Sequence, residues 1–451
     1  MKLRLSEVAN NAHGRLIGDD VIIDGVATDS RAHAPGALYV AIRGERFDGH
    51  EFVRAAQASG AIAALVDTEI LIDLPQVLVA DTQLALGRIA AAARQRSTAR
   101  VVAITGSNGK TTVKTLLAAV LSAHAPTHAS GGNFNNEIGL PMSVISLPAD
   151  ARFAVFEMGA GKPGDIEYLM SIAKPDIGLV NNVGAAHLER LGSLDGVARA
   201  KGAIISGLPD DGIAIINTDD AYADYFVGLA QARRVIRYGL AADAQVRGET
   251  TGQPAGTFRI VHGAQSVSIT LALAGIHNVS NALAAAAIAI ALDVSLATIK
   301  AGLESVVPVA GRLATHRHSS GAVIIDDSYN ANPDSFAAAI ATLADQHGRR
   351  ILVMGDMKEL GADADEMHEQ IGSCASDAGI DELHAVGELS ACAVRVFDGS
   401  AILHDDQAAM IQSLRSLLAP GTTMLVKGSR SSAMDRVVFA LLDGEEGVDA
   451  A

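Results

Sequence analysis

Short apolar runs rich in β-branched residues recur along the chain and alternate with longer stretches whose apolar positions return every three or four residues. The first pattern predicts buried strands, the second amphipathic helices. The clearest instance is Val-Val-Ala-Ile at 101–104, followed by Thr105-Gly106-Ser107-Asn108-Gly109 and an apolar-periodic helix from Lys110 to about Ser122. Before it, strands are predicted at 37–42, 61–66 and 76–80 and helices at 51–59 and 84–95, a first small α/β unit over 1–95. After it come strands at 153–156, 177–180 and 213–216, ending in Glu157, in Asn181-Asn182 and near Asn217 and Asp219. Residues 245–274 read as an antiparallel β edge, and helices at 277–291 and 295–303 close a second unit over 96–309. A third unit, 310–451, has strands at 322–326, 350–354, 382–386 and 423–427 and helices at 333–345, 365–377, 406–418 and 431–442, with 445–451 frayed. Strands alternating with helices predict an α/β fold with open, mostly parallel sheets and ligands at the carboxyl ends of the strands.

Composition narrows the function classes. A length of 451 residues suits three domains, and 49% apolar residues suffice for sizeable cores. The net charge of −16 argues against a nucleic-acid partner and against an anionic membrane surface. A phosphorylated substrate stays open if its site is locally cationic or metal-bridged. Cys374 and Cys392 make neither a disulfide framework nor a zinc site and read as buried small hydrophobes in a reducing compartment. No run approaches 18 apolar residues and no apolar signal core opens the chain, so a cytoplasmic protein without membrane insertion is expected.

The chemistry begins at the glycine loop. A strand, a tight turn and a helix N-terminus form an anion cradle, to which Lys110 adds a charge and Thr111 a Mg²⁺ ligand. The generic phosphate-loop pattern wants Gly where Ile104 stands. Gly159-Ala160-Gly161-Lys162-Pro163-Gly164 matches a dinucleotide fingerprint, but Asn181-Asn182 stands where that motif needs an acidic residue about 20 positions on. Asp363, Asp365 and Glu366 lack the spacing of a Ca²⁺ loop and read as a helix start. Glu157, His187 and Lys201 all fall at or just beyond strand ends on the side of the glycine loop. Glu157 is a hard oxygen donor suited to Mg²⁺. Taken singly, each has an ordinary structural explanation. Thr28-Asp29-Ser30-Arg31 and Gly44-Glu45-Arg46-Phe47-Asp48-Gly49-His50 are polar loops of the kind that bind ligands, although their spacing alone favours ordinary turn chemistry. The residues alone indicate a nucleotide-binding Mg²⁺ enzyme and leave the second substrate open.

Across essentially the whole chain the sequence resembles the Mur ligase family, ATP-dependent enzymes that join an amino acid or dipeptide to a growing carboxylate. Thr105-Gly106-Ser107-Asn108-Gly109-Lys110-Thr111-Thr112 resembles that family's phosphate loop, which also lacks the first Gly. The resemblance implies Mg²⁺, two ions, held by Thr111, Glu157, His187 and a carbamylated Lys201, with Lys110, Glu157, His187 and Lys201 catalytic. It implies nucleotide contacts from Asn278 and Asn281 in Gly275-Ile276-His277-Asn278-Val279-Ser280-Asn281, and from Arg312, Asp327, Tyr329 and Asn330. Ser30, Arg31, Arg46, Phe47, Asp48, Asn133, Asn135, Asn136 and Asn332 are implied as substrate-binding. The implied architecture is an N-terminal UDP-substrate domain, a central P-loop ATPase domain and a C-terminal Rossmann-like domain that binds the incoming dipeptide.

Asn133-Phe134-Asn135-Asn136-Glu137-Ile138-Gly139, Tyr329-Asn330-Ala331-Asn332-Pro333-Asp334-Ser335, Gly355-Asp356-Met357-Lys358-Glu359-Leu360-Gly361 and Lys427-Gly428-Ser429-Arg430-Ser431 resemble the member that adds D-alanyl-D-alanine to UDP-N-acetylmuramoyl-tripeptide through an acyl phosphate. That member is expected to act as a monomer. The third-residue ligase typically has His where Asn330 stands. A folylpolyglutamate synthase-like ligase should lack the uridine-nucleotide domain. A regulatory NTP switch is the reading from another class, and would hydrolyse ATP alone. Ala203 departs from the family, where an acidic residue is common after Lys-Gly.

Overall fold

The computed structural model describes residues 2–44, 46–250 and 256–442; the expected fraying at 445–451 lies outside the described residues. Among the described residues the strands form four sheets. The five-stranded N-terminal sheet runs Arg15–Ile17, Gln76–Leu78, Ala63–Val66, Leu38–Val40, Val26–Ala27, parallel except at its first strand. Lys2–Arg4 and Ile22–Asp24 pair separately. The helix Thr82–Gln95, capped by the Asp81 carboxylate, joins this unit to the next by packing on helices Gly139–Ile145 and Asp165–Ala173. The approach is close: a Cβ on Gly87 would sit 2.3 Å from the Tyr168 hydroxyl.

The central sheet has nine strands in the order Gln265–Thr270, Thr257–His262, Val246–Thr250, Arg234–Gly239, Ile213–Asn217, Ile177–Val180, Arg100–Thr105, Phe153–Glu157, Thr127–Ala129. Its middle is parallel and covered on both faces, which is why its strands are continuous apolar runs. Val101 and Ala103 point into one core, Val102 and Ile104 into the other. The second core lies under helices Lys110–Ser122 and Ile276–Ala291, the latter fully buried over much of its length. The predicted antiparallel edge is present as Val246–Thr250, Thr257–His262 and Gln265–Thr270. Two strands escape the hydrophobic pattern. Thr127–Ala129 is three residues long, and Arg234–Gly239 carries Arg234 and Arg237.

The C-terminal sheet runs Ala314–Arg317, Val323–Asp327, Thr422–Lys427, Arg349–Gly355, Glu382–Val386, Ser400–His404, with the first strand alone antiparallel. Both edge strands are absent from the sequence reading, because each is short and half exposed and neither shows the buried apolar run or clean alternation of a strand. The last helix begins at Asp435 rather than 431: Arg430–Ser432 is a 3-10 turn, and Ala433 takes a left-handed φ of 50°. Asp363 ends a 3-10 turn before helix Ala364–Asp377, as expected of a helix start. Cys392 is buried, but Cys374 is only half-buried, and both are free thiols. No helix among the described residues is long and apolar enough to cross a membrane.

Candidate active site

Carboxyl ends of the central strands and one end of the C-terminal sheet face each other across a cleft of about 1050 Å³. On the central side the chain leaves Arg100–Thr105, turns through Gly106 and enters helix Lys110–Ser122 at Gly109. Gly109 has φ 77°, and a Cβ there would lie 2.4 Å from Asn281 Oδ1, so both conformation and space demand glycine. Asn182 ties the turn down by accepting from the Ser107 and Asn108 amides, at 3.0 Å through its backbone oxygen and 2.8 Å through Oδ1. That leaves the first helical turn as the cluster of N–H donors without an intrahelical partner.

Two lysines converge on one carbonyl. Lys110 Nζ donates to Gly106 O at 2.7 Å, and Lys201 Nζ donates to the same oxygen at 3.2 Å. Lys201 comes from helix Leu194–Ser206, is 1% exposed, and among the described residues forms no ion pair with a carboxylate. Burial first, then Lys110, push its amine well below the usual lysine range, which favours the neutral form. Across the loop Glu157, also buried, accepts from Thr111 Oγ1 and Asn135 Nδ2, each at 2.8 Å. Burial would raise its carboxyl, yet Lys110, Lys114 and these hydrogen bonds outweigh that and hold it below the usual carboxylate range. Arg312 Nη2 reaches Thr111 Oγ1 at 2.9 Å from the C-terminal domain, its guanidinium stacked 4.2 Å from the Tyr329 ring centroid.

His187 lies against a carboxylate of the C-terminal domain. It begins the turn Leu188–Leu191, and its Nδ1 lies 2.5 Å from Glu359 Oε2. Burial lowers its basicity and Glu359 only partly restores it. Among the described residues no three His, Cys, Asp or Glu side chains cluster to hold a metal. Thr111 and Glu157 are hard oxygens 2.8 Å apart beside the loop, a pair that fits Mg²⁺. Thr105 Oγ1, at the end of the strand that feeds the loop, is buried without a hydrogen-bond partner among the described residues.

Other expected residues divide. Asn278 and Asn281 line the cleft but are tied into a buried amide chain: Asn181 donates to Asn281 at 2.9 Å and Asn281 to Asn278 at 3.1 Å. Asp327 pairs with Lys427 at 2.5 Å, and Lys427 also donates to Asn330 O at 3.0 Å. Burial raises the Asp327 carboxyl against the opposing pull of Lys427. Asn332 caps helix Pro333–Ala344 in a capping box with Ser335 while its Nδ2 reaches Asn108 Oδ1 at 2.9 Å. Asn133 and Asn136 line the cleft, Asn136 also capping the Gly139 amide. Ser30, Arg31, Arg46, Phe47 and Asp48 stand away from it, on the N-terminal domain. Arg31 there forks onto Asp29, at 2.7 Å for the shorter contact, and holds that carboxyl down at about 2. Phe47 is 69% exposed, and Asp48 caps the 3-10 turn Gly49–Phe52. The 159–164 loop is no dinucleotide cradle: Asp165 Oδ2 accepts from the Gly161 and Lys162 amides at 2.9 Å each, the donors a pyrophosphate would need.

Sequence reasoning missed Lys114, His277 and the site roles of Glu359 and Lys427. Lys114 lies four residues after Lys110 on one helix face, donates to Gly132 O at 2.8 Å and sits 3.6 Å from Glu157; that spacing was the available signal. His277 lines the cleft, and burial first, then Lys427, lower it from 6.5 to about 4. A base depressed on folding is protonated more readily in the unfolded chain, so its stabilising share is whole above pH 6.5 and lost as pH falls toward 4. The loss should reach up to about 3 kcal/mol. Chemical denaturation at pH 7.5 and pH 4.5 should show His277→Gln losing less stability on acidification than the parent; equal slopes would refute this.

A nucleotide-type glycine loop on a parallel sheet, flanked by a small α/β domain and a Rossmann-like domain that reaches into the loop, defines a three-domain phosphate-loop α/β protein. The chain belongs to the Mur ligase family: the family's catalytic domain matches residues 22–108, the Mur ligase middle domain 104–289 and the Mur ligase glutamate ligase domain 311–430. It is 44% identical over 451 residues, 98% of each chain, to the UDP-N-acetylmuramoyl-tripeptide–D-alanyl-D-alanine ligase of Escherichia coli strain K12. The crystal structure of MurF from Acinetobacter baumannii superposes with a TM-score of 0.92 at 33% identity, covering 98% of this chain and 99% of that one. MurF ligase from Thermotoga maritima, solved in complex with ADP, gives 0.82 at 27% identity, covering 93% of this chain and 97% of that one.

Proposed function

We propose that this chain is the ATP-dependent ligase that joins D-alanyl-D-alanine to UDP-N-acetylmuramoyl-tripeptide in cytoplasmic peptidoglycan precursor synthesis, working as a monomer. Residues 1–95 take the uridine nucleotide half, 96–309 take ATP, and 310–451 take the incoming dipeptide. The observation that carries the chemistry is the loop with Lys110 and Lys201 on one side and the Thr111–Glu157 pair on the other. The full-length likeness to the E. coli ligase supports the choice of substrates.

The tripeptide carboxylate attacks the γ-phosphorus of ATP and ADP leaves, giving an acyl phosphate. The dipeptide amine then attacks the acyl carbon, loses a proton and expels phosphate. Lys110 and the first-turn amides of helix Lys110–Ser122 stabilise charge on the transferring group. Arg312 and the Asp327–Lys427 pair position the nucleotide from the C-terminal side. Thr111, Glu157, His187 and Lys201 would hold Mg²⁺, which supplies neutralisation of phosphate charge. Lys201 serves as its carbamate: the neutral amine adds to CO₂, forming an N–C bond and releasing a proton, and a buried amine becomes an anionic oxygen donor.

Phosphate release should require ATP, the UDP-linked tripeptide and D-alanyl-D-alanine together. Release from ATP alone would support a switch, and release with an amino acid in place of the dipeptide would point to another ligase. Arg31, exposed and held by one carboxylate, is placed to exchange that partner for a diphosphate. Arg31→Ala should weaken binding of the UDP-linked peptide roughly tenfold, the worth of one charge-assisted hydrogen bond, with ATP affinity unchanged by calorimetry. A loss confined to ATP would overturn the assignment of the N-terminal domain.

A further inference from the structure

His187 and Glu359 meet across the boundary between the central and C-terminal domains, and each is held by its own side. His187 follows the sheet strand Ile177–Val180 and has φ 56°; Glu359 has φ 62°. Neither is glycine, and non-glycine residues stay in that region only where their surroundings hold them. Glu359 is flanked by the buried Met357 and Leu360. Its loop is pinned to the C-terminal core: the Met357 amide donates to His368 Nε2 at 3.0 Å, and Asp356 Oδ1 accepts from Ser390 Oγ at 2.8 Å. The Glu359 carbonyl accepts from the Glu189 amide at 3.4 Å, a second link across the boundary.

A carboxylate only accepts hydrogen bonds, so the 2.5 Å contact to Glu359 Oε2 places the ring proton on His187 Nδ1. In the neutral imidazole the lone pair is then on Nε2, and among the described residues no hydrogen bond occupies that atom. A histidine that ligates a metal through one nitrogen while a carboxylate holds the other is a recurrent way of fixing the ligand's tautomer and ring orientation. The geometry points to Glu359 as a positioning residue that fixes His187 with Nε2 available to a divalent cation, and that does so only when the C-terminal domain is docked. It rests on the reading of His187 as a metal ligand. Docking of the third domain thereby completes the metal side of the site as well as the nucleotide side, where Arg312 reaches Thr111.

The test uses the full chain with a non-hydrolysable ATP analogue and no acceptor, so that nothing turns over. Mn²⁺ binding is followed by electron paramagnetic resonance in the parent, Glu359→Ala, Glu359→Gln and His187→Ala. Separately, ¹⁵N-histidine shifts report the His187 tautomer in the metal-free protein. Glu359→Ala should weaken Mn²⁺ binding about tenfold or more and lose the Nδ1–H tautomer. Glu359→Gln, which keeps an acceptor, should keep that tautomer and lose less affinity. If His187→Ala weakens Mn²⁺ binding while Glu359→Ala changes neither affinity nor tautomer, the positioning role is overturned and the ligand reading stands. If His187→Ala leaves Mn²⁺ binding unchanged, the ligand reading falls and takes the positioning role with it.

Discussion

Lys201→Ala is expected to lose roughly a thousandfold in turnover, the rate equivalent of several kcal/mol of charge stabilisation, and acetate or formate should return part of it. The lysine is 1% exposed and shares the Gly106 carbonyl with Lys110. Two ammonium groups there would repel each other in a site with little water to screen them. Burial and Lys110 instead push Lys201 toward the neutral amine, the form that adds to CO₂. A carbamate would replace that repulsion with attraction to Lys110 and give the phosphate loop an anionic oxygen donor. A small carboxylate entering the space left by alanine would supply the same group, whereas an amine would not. Initial rates of phosphate release with and without added acetate, together with a native mass higher by one CO₂ in the parent and absent from the variant, decide the matter. Full activity in Lys201→Ala, or rescue by amines alone, would return Lys201 to the role of a buried structural lysine.

Lys110→Ala should lower turnover by about 10²–10³, as expected on removing one preorganised charge from a transferring phosphoryl group. No carboxylate should rescue it. Among the described residues its Nζ bonds only to loop carbonyls, Gly106 O at 2.7 Å and Ser107 O at 3.4 Å, so the thermal unfolding midpoint should barely move. A second signature follows from Glu157. Lys110 is the strongest influence lowering that carboxyl, against the burial that raises it. Without the lysine Glu157 takes up a proton at higher pH, and the acid limb of the residual pH–rate profile should shift upward. Near-parental turnover, or an acid limb that stays in place, would remove Lys110 from this role.

Fold class and the phosphate loop were legible because both are local. Residues 101–122 carry a buried run, a turn that needs glycine and a periodic helix in direct succession, and each is dictated by residues within one or two turns of itself. Glu157 was legible as the last residue of an apolar strand, since a parallel sheet delivers that position to the ligand side. Lys114 was harder to read: its spacing puts it on the face of Lys110, but that pattern does not show that the face meets a buried carboxylate. The edge strands Thr127–Ala129 and Ser400–His404 were invisible for a related reason: with neighbours on one side only, they need little apolar signal.

By itself the sequence determined three α/β units, the glycine loop and the strand-end positions of the reactive groups, because hydrophobic period and turn chemistry act over a few residues. Tertiary structure alone decided the pairings. Lys201 meets Gly106 across 95 positions, and Arg312 meets Thr111 across 201. His187 turns to Glu359, and Lys427 to Asp327, through contacts between elements with no neighbouring sequence in common. Such pairings depend on strand order and on how one domain docks against another. Those are set by burying whole faces of helices and sheets, so no local pattern records which charged side chain arrives opposite which.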